Sequence, residues 1–105
     1  NITVIPGIYY FSWNVLAESG TTASDIVISL VNTAVPTIPL ATSGLDLAVE
    51  GNTAGGSVNG SVVLLFTATT TLNLINSSGH DIVNLFADGT GTNNYSASMT
   101  ILRLA

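Results

Sequence analysis

Alternation of apolar and polar positions with a period of two runs through most of this chain. From Gly7 the sequence reads Ile-Tyr-Tyr-Phe-Ser-Trp-Asn-Val, and Tyr9, Phe11, Trp13 and Val15 make one large apolar face. The opposite positions, Ile8, Tyr10, Ser12 and Asn14, turn polar along their length. Aromatic and β-branched residues at that period predict a strand. Pro6-Gly7 supplies the turn before it, since Pro fixes φ and Gly admits positive φ. A second strand is expected over Asp25–Asn32, with Ile26, Ile28 and Leu30 opposite Val27, Ser29 and Val31. Pro36 and Pro39 interrupt regular ladder pairing and so mark an edge or a loop, after which a short strand is expected over Leu45–Glu50.

The second half continues the pattern. Asn52–Gly60 is rich in Gly, Asn and Ser and reads as a loop holding at most a short extended piece. Ser61–Ala68 is apolar on both faces and reads as the most buried strand. Further strands are expected over Thr71–Asn76, Ile82–Ala87 and Tyr95–Leu104, separated by a turn at Ser77–His80 and a loop at Asp88–Asn94. No segment spaces its apolar residues three and four apart between capping signals, so essentially no helix is expected. About seven or eight short strands, with turns roughly every 8–12 residues, imply an all-β antiparallel sandwich or jelly roll. Without an internal repeat or a linker, residues 1–105 read as one domain.

Charge narrows the function classes. Only 7% of residues are Asp, Glu, Lys or Arg, against an average of about 25%. Arg103 is the one strong base, against Glu18, Asp25, Asp46, Glu50, Asp81 and Asp88, for a net charge of −5. Neutralising phosphates takes several basic residues, so nucleic acid is not an expected partner. The mean hydropathy is high at +0.58. Yet the longest apolar run, Val62–Phe66, is of strand length and far short of the ~20 residues of a spanning helix, so no membrane insertion is expected. Without cysteine there is no disulfide framework and no thiol nucleophile. Starting at Asn1 without a signal-like segment, the sequence reads as a processed or separately expressed piece of a longer protein.

Candidate chemistry is sparse. His80, the single histidine, sits in a turn between Gly79 and Asp81, and Ser77 and Ser78 nearby do not make a triad. The six acids are scattered without a pair on one face, so no catalytic residue is assigned and no enzyme is expected. Asp81 and Asp88–Gly91 offer too few acids at fixed spacing for a calcium loop, so neither metal nor cofactor is expected. Tyr9, Phe11 and Trp13 read as core. Tyr10 and Tyr95 are freer, as candidate contacts to an interface or a ligand. The amides of Asn52, Asn59, Asn93 and Asn94 suit sugars as well as turns. Arg103 is the third candidate contact, reading as a strand-end cation that snorkels outward unless it pairs with an acid, including one across subunits. The sequons at Asn1, Asn59, Asn76 and Asn94 are expected by chance in so Asn-, Ser- and Thr-rich a chain.

Two strands carry apolar residues on both faces: Ser61–Phe66 and the closing strand. An antiparallel sandwich normally wets one face of each sheet, so the second apolar face calls for a cover, and self-association is the simplest one.

The segment Pro6-Gly7-Ile8-Tyr9-Tyr10-Phe11-Ser12-Trp13 resembles the Gly-x-Tyr-x-Phe strand of globular heads of the complement-q and tumour-necrosis-factor superfamily. Within it, the chain is most similar to C-terminal domains of collagen-like glycoproteins of the bacterial spore exosporium and to related basal-layer proteins. Val31-Asn32-Thr33-Ala34-Val35-Pro36 and Ser98–Ala105 carry the rest of that likeness. The resemblance implies a ten-stranded jelly roll, a tight homotrimer and often a collagen-like stalk, although no Gly-x-y repeat is present and the N-terminal strand is short or missing. The expected function is therefore a non-catalytic structural surface protein, the homotrimeric head of a spore's outer layer. Its partners would be itself and possible coat proteins or surface glycans. The alternative is a carbohydrate- or receptor-binding head such as a phage fibre tip.

Overall fold

The computed structural model describes residues 1–19, 25–46, 55–78, 82–84 and 97–105. These are all β, with no helix among them. The strands are β1 (Ile2–Val4), β2 (Gly7–Ser19), β3 (Asp25–Asn32), β4 (Pro39–Asp46), β5 (Gly55–Phe66), β6 (Thr70–Asn76), β7 (Ile82–Asn84) and β8 (Ala97–Arg103). They form two antiparallel sheets. One has the order β1-β6-β3-β4; in the other β2 lies between β5 on one edge and, end to end on the other, β8 and β7.

The period-two pattern sets which side chains meet. Tyr9, Phe11 and Trp13 from β2, with Val58 and Phe66 from β5, face Ile26, Ile28 and Leu30 from β3 and Leu72 from β6 in one buried cluster. Met99 and Ile101 of β8 pack against it. Tyr9, Phe11 and Phe66 form an aromatic triangle with centroids 6.0–6.1 Å apart, two of the three pairs meeting edge to face. The expectation that Tyr9, Phe11 and Trp13 belong to the core holds.

Trp13 couples the two sheets. Its cross-strand partner is Gly60, and a Cβ at Gly60 would overlap the indole atoms Cζ2 and Cε2. The absent side chain lets the ring lie flat on the neighbouring strand. From there Nε1 donates across the core to Ser43 Oγ of β4 at 2.8 Å. On the other face of β3, fully buried Ser29 accepts from Ser77 Oγ at 2.8 Å and lies 3.0 Å from Thr42 Oγ1. No buried side-chain polar atom among the described residues lacks a partner.

Several boundaries differ from the expectation. Gly55–Gly60, read as loop, is strand, paired with β2 from Trp13 to Glu18. Its Gly and Asn content lowers strand propensity, but the long partner and the seating of Trp13 override it. Ser61–Ala68 ends as strand at Phe66 and is buried on one face only, because Val63 and Leu65 are 56% and 68% exposed. β4 begins at Pro39, not Leu45, as an edge strand whose pairing slips between Leu30 and Val31 where Pro39 enters; the edge reading of Pro39 stands. β2 continues past Val15 to Ser19, and Ile2–Val4 forms a short strand on β6. Residues 47–50 and 85–87, parts of two expected strands, lie outside the described residues.

Substituting Gly60→Ala is expected to destabilise the fold by about 1–3 kcal/mol, the usual cost of overpacking. Urea unfolding followed by Trp13 fluorescence measures it, and Ser43→Ala, which removes only the indole's acceptor, is expected to cost about 1 kcal/mol.

Candidate functional site

The face of the β5-β2-β8 sheet that points away from the core is divided in two. Its rows follow from the register: Ile8 stands opposite Leu65, Tyr10 lies between Val63 and Leu102, Ser12 between Ser61 and Thr100, and Asn14 between Asn59 and Ser98. The half near the start of β2 is apolar, and Leu104, whose backbone N–H donates to Ile8 O, extends it. Val63, Leu65, Leu102 and Leu104 are each more than half exposed. Ile5, Val35 and Ile38, also exposed, lie at the same end of the molecule, beyond β1 and in the β3–β4 connection. Apolar exposure is thus gathered at one end instead of scattered.

The other half is polar and uncharged. Tyr10, Ser12, Asn14, Asn59 and Ser61 line an open cleft of about 360 Å³, with the Trp13–Gly60 backbone as part of its floor. The Ser57 hydroxyl donates its one proton to Asn14 Oδ1 and lies 3.3 Å from Asn59 Oδ1. The Asn14 carboxamide is thereby turned so that its Nδ2 group is left as a donor, and Asn59 offers a second amide. Neither Nδ2 group nor the Tyr10 hydroxyl has a partner among the described residues.

A second, smaller cleft of about 200 Å³ opens between the two sheets at the β1–β6 and β8 edges. Ile2, Leu72, Leu74, Ala97 and Met99 line it, with Asn1, Asn73 and Ser98 at its rim. Among the described residues, β8 pairs only with β2, so its outer edge beside this cleft is unpaired there.

Arg103 closes the apolar end. It faces Tyr9 across the ladder with its guanidinium 6.0 Å from the ring centroid, at the limit of a cation–π contact. Its Nη2 donates to Pro6 O at 3.0 Å and its Nε to Ala105 O at 3.3 Å. Tyr9 in turn donates to Ile5 O at 2.9 Å. A Cβ on Gly7 would lie 2.8 Å from Ala105 O and 2.9 Å from Arg103 Nε, so this clasp needs glycine there. Within the chain, two backbone carbonyls receive the guanidinium.

Of the three residues singled out from the sequence, Tyr10 and Arg103 lie on opposite faces of the same sheet, and the structure does not bring them together. Tyr95 lies outside the described residues, as do His80, Asp81, Asp88–Asn94 and Asn52. Among the described residues no group of His, Cys, Asp or Glu is placed to hold a metal. Asn14, Ser57 and Ser61 were not singled out. The signal that finds them is register: once Trp13 is set against Gly60, the polar rows on either side follow. The sequence matches no protein-family model, no curated protein and no solved structure in the comparisons made.

Replacing Arg103 by Leu is expected to lower stability by about 1 kcal/mol, reflecting two partly solvated carbonyl bonds. Thermal melting monitored by circular dichroism tests this, and Arg103→Lys, which retains one donor group without the fork, is expected to fall between Leu and wild type.

Proposed function

We propose that this chain is a non-catalytic structural surface protein, a homotrimeric jelly-roll head on the outer layer of a bacterial spore. The observation that carries the reading is the exposed apolar half-face of Ile8, Val63, Leu65, Leu102 and Leu104. It lies on the sheet whose other face is already committed to the core. Burying it against further copies removes from water side chains that the single chain leaves exposed, and closed symmetry repeats that contact without leaving a free patch.

The chain path fits the jelly-roll part of the proposal. Consecutive strands change sheet from β1 to β2, β2 to β3, β4 to β5, β5 to β6 and β6 to β7, while early strands end beside late ones, β1 on β6 and β2 on β8. Long returns of that kind characterise Greek-key arrangements. The likeness of Pro6–Trp13 and Ser98–Ala105 to exosporium proteins supports the location. The near absence of charge suits a coat that faces outward through hydroxyl and amide groups.

Sedimentation equilibrium at micromolar concentration is expected to give three times the chain mass of 10.7 kDa. The double variant Leu65→Ser/Leu102→Ser is expected to sediment as a folded monomer, because both residues are exposed in the single chain. A wild-type monomer overturns the proposal.

A further inference from the structure

The uncharged cleft has no part in burying the apolar half-face, and its chemistry is specific. Its volume of about 360 Å³ falls in the range of small-ligand sites, roughly 300–1,000 Å³. Tyr10 forms one end and the cross-strand pair Asn14 and Asn59 the other, with the short side chains of Ser12 and Ser61 between them. Ser57 orients the Asn14 amide by donating to its oxygen, and Asn59 lies beside the same hydroxyl. Two amides, two hydroxyls and the Tyr10 phenol, which is also the aromatic ring of the site, thus line one space.

Charge decides the ligand class. Phosphate or carboxylate recognition calls for a cation, and Arg103, the only Lys or Arg of the chain, is engaged with Pro6 and Ala105 on the opposite face. A metal ion or ammonium group calls for carboxylates, and no acidic residue lines the cleft. The net charge of −5 further disfavours anions. Strand addition to β2 is excluded by the ladder: over this stretch β2 is paired with β5 on one edge and β8 on the other, so its backbone groups are spent. What remains is a neutral ligand rich in hydroxyls that presents a C–H face to a ring.

We propose that this cleft binds a neutral saccharide. The Nδ2 groups of Asn14 and Asn59 donate to its hydroxyl or ring oxygens, Ser12 and Ser61 exchange hydrogen bonds with its hydroxyls, and Tyr10 packs on its apolar face. The site lies beyond the apolar half-face, so it does not rest on the proposed trimer. A copy seated on Leu65 and Leu102 alone leaves the cleft at the rim of that contact.

The test is an NMR titration of the isotope-labelled full chain with glucose, galactose, mannose, rhamnose and N-acetylglucosamine, with glucuronate as the charged control. At least one neutral sugar is expected to shift the side-chain amide signals of Asn14 and Asn59 in a saturable way, and glucuronate to bind more weakly. Asn59→Ala and Tyr10→Ala are each expected to weaken binding about tenfold or more. Asn59 is exposed, so its replacement leaves the fold intact, as unchanged amide spectra elsewhere would show. Absence of saturable shifts with every neutral sugar overturns the proposal. So does binding that both variants retain, or equal binding of glucuronate. Sedimentation of the same samples separates this outcome from that of the trimer: sugar binding by a monomer refutes the assembly and keeps the cleft.

Discussion

The indole of Trp13, lying flat on Gly60 and bonded to Ser43 of the facing sheet, is the constraint on which the rest of the molecule depends. It fixes the spacing of the two sheets, because a ring of that size with a polar tip fits only where one strand gives up a side chain and the other offers an acceptor. It also fixes register. With period-two alternation, a slip of one residue between β2 and β5 would turn Tyr9, Phe11 and Trp13 to water and bring Tyr10, Ser12 and Asn14 inside. The division of the outer face into apolar and polar halves is therefore a consequence of where Trp13 sits.

That division carries the functional reading. A sheet with one face in the core normally presents a mixed polar surface on the other. Here the outward residues are sorted by height along β2. Large aliphatic side chains gather where β2 begins and β5 and β8 end, while hydroxyls and amides occupy the rows beyond Tyr10. Tyr10 belongs to both regions, standing between Val63 and Leu102 in the ladder and lining the cleft. One surface can in this way offer a contact to like molecules and a contact to something else, with Tyr10 on the boundary they share.

How much of this is legible in the sequence depends on the range of the interaction. The inward faces of β2 and β3 are written in strict alternation, and Ile26, Ile28, Leu30, Tyr9, Phe11 and Trp13 are buried as that pattern requires. The two-faced apolar character of Val62–Phe66 is equally plain, and so is the exposed second face it leaves. Strand limits are less legible where composition and pairing disagree. Gly55–Gly60 has the residues of a loop and becomes a strand only because β2 runs far enough to pair with it. Pro39 disrupts a ladder but is admitted at an edge. The cleft is legible only in part: Tyr10 and Asn59 stand out as candidate contacts, but Asn14 and Ser57 are 43 positions apart and meet only through the β2–β5 register. Arg103 is half legible: its place at a strand end follows from sequence, its carbonyl partner Pro6, 97 positions away, does not.

The length of β2 has a mechanical meaning. Its thirteen residues run along most of the molecule's 45 Å long dimension, since a strand rises about 3.3 Å per residue. It is registered with β5 through every position from Gly7 to Glu18. Ladder hydrogen bonds lie across the strand direction. A pull along the long axis therefore loads that whole ladder in parallel, in shear, instead of opening it one bond at a time from an end. Two strands that began as a hydrophobic face and a glycine-rich stretch together make a tension member running the length of the molecule.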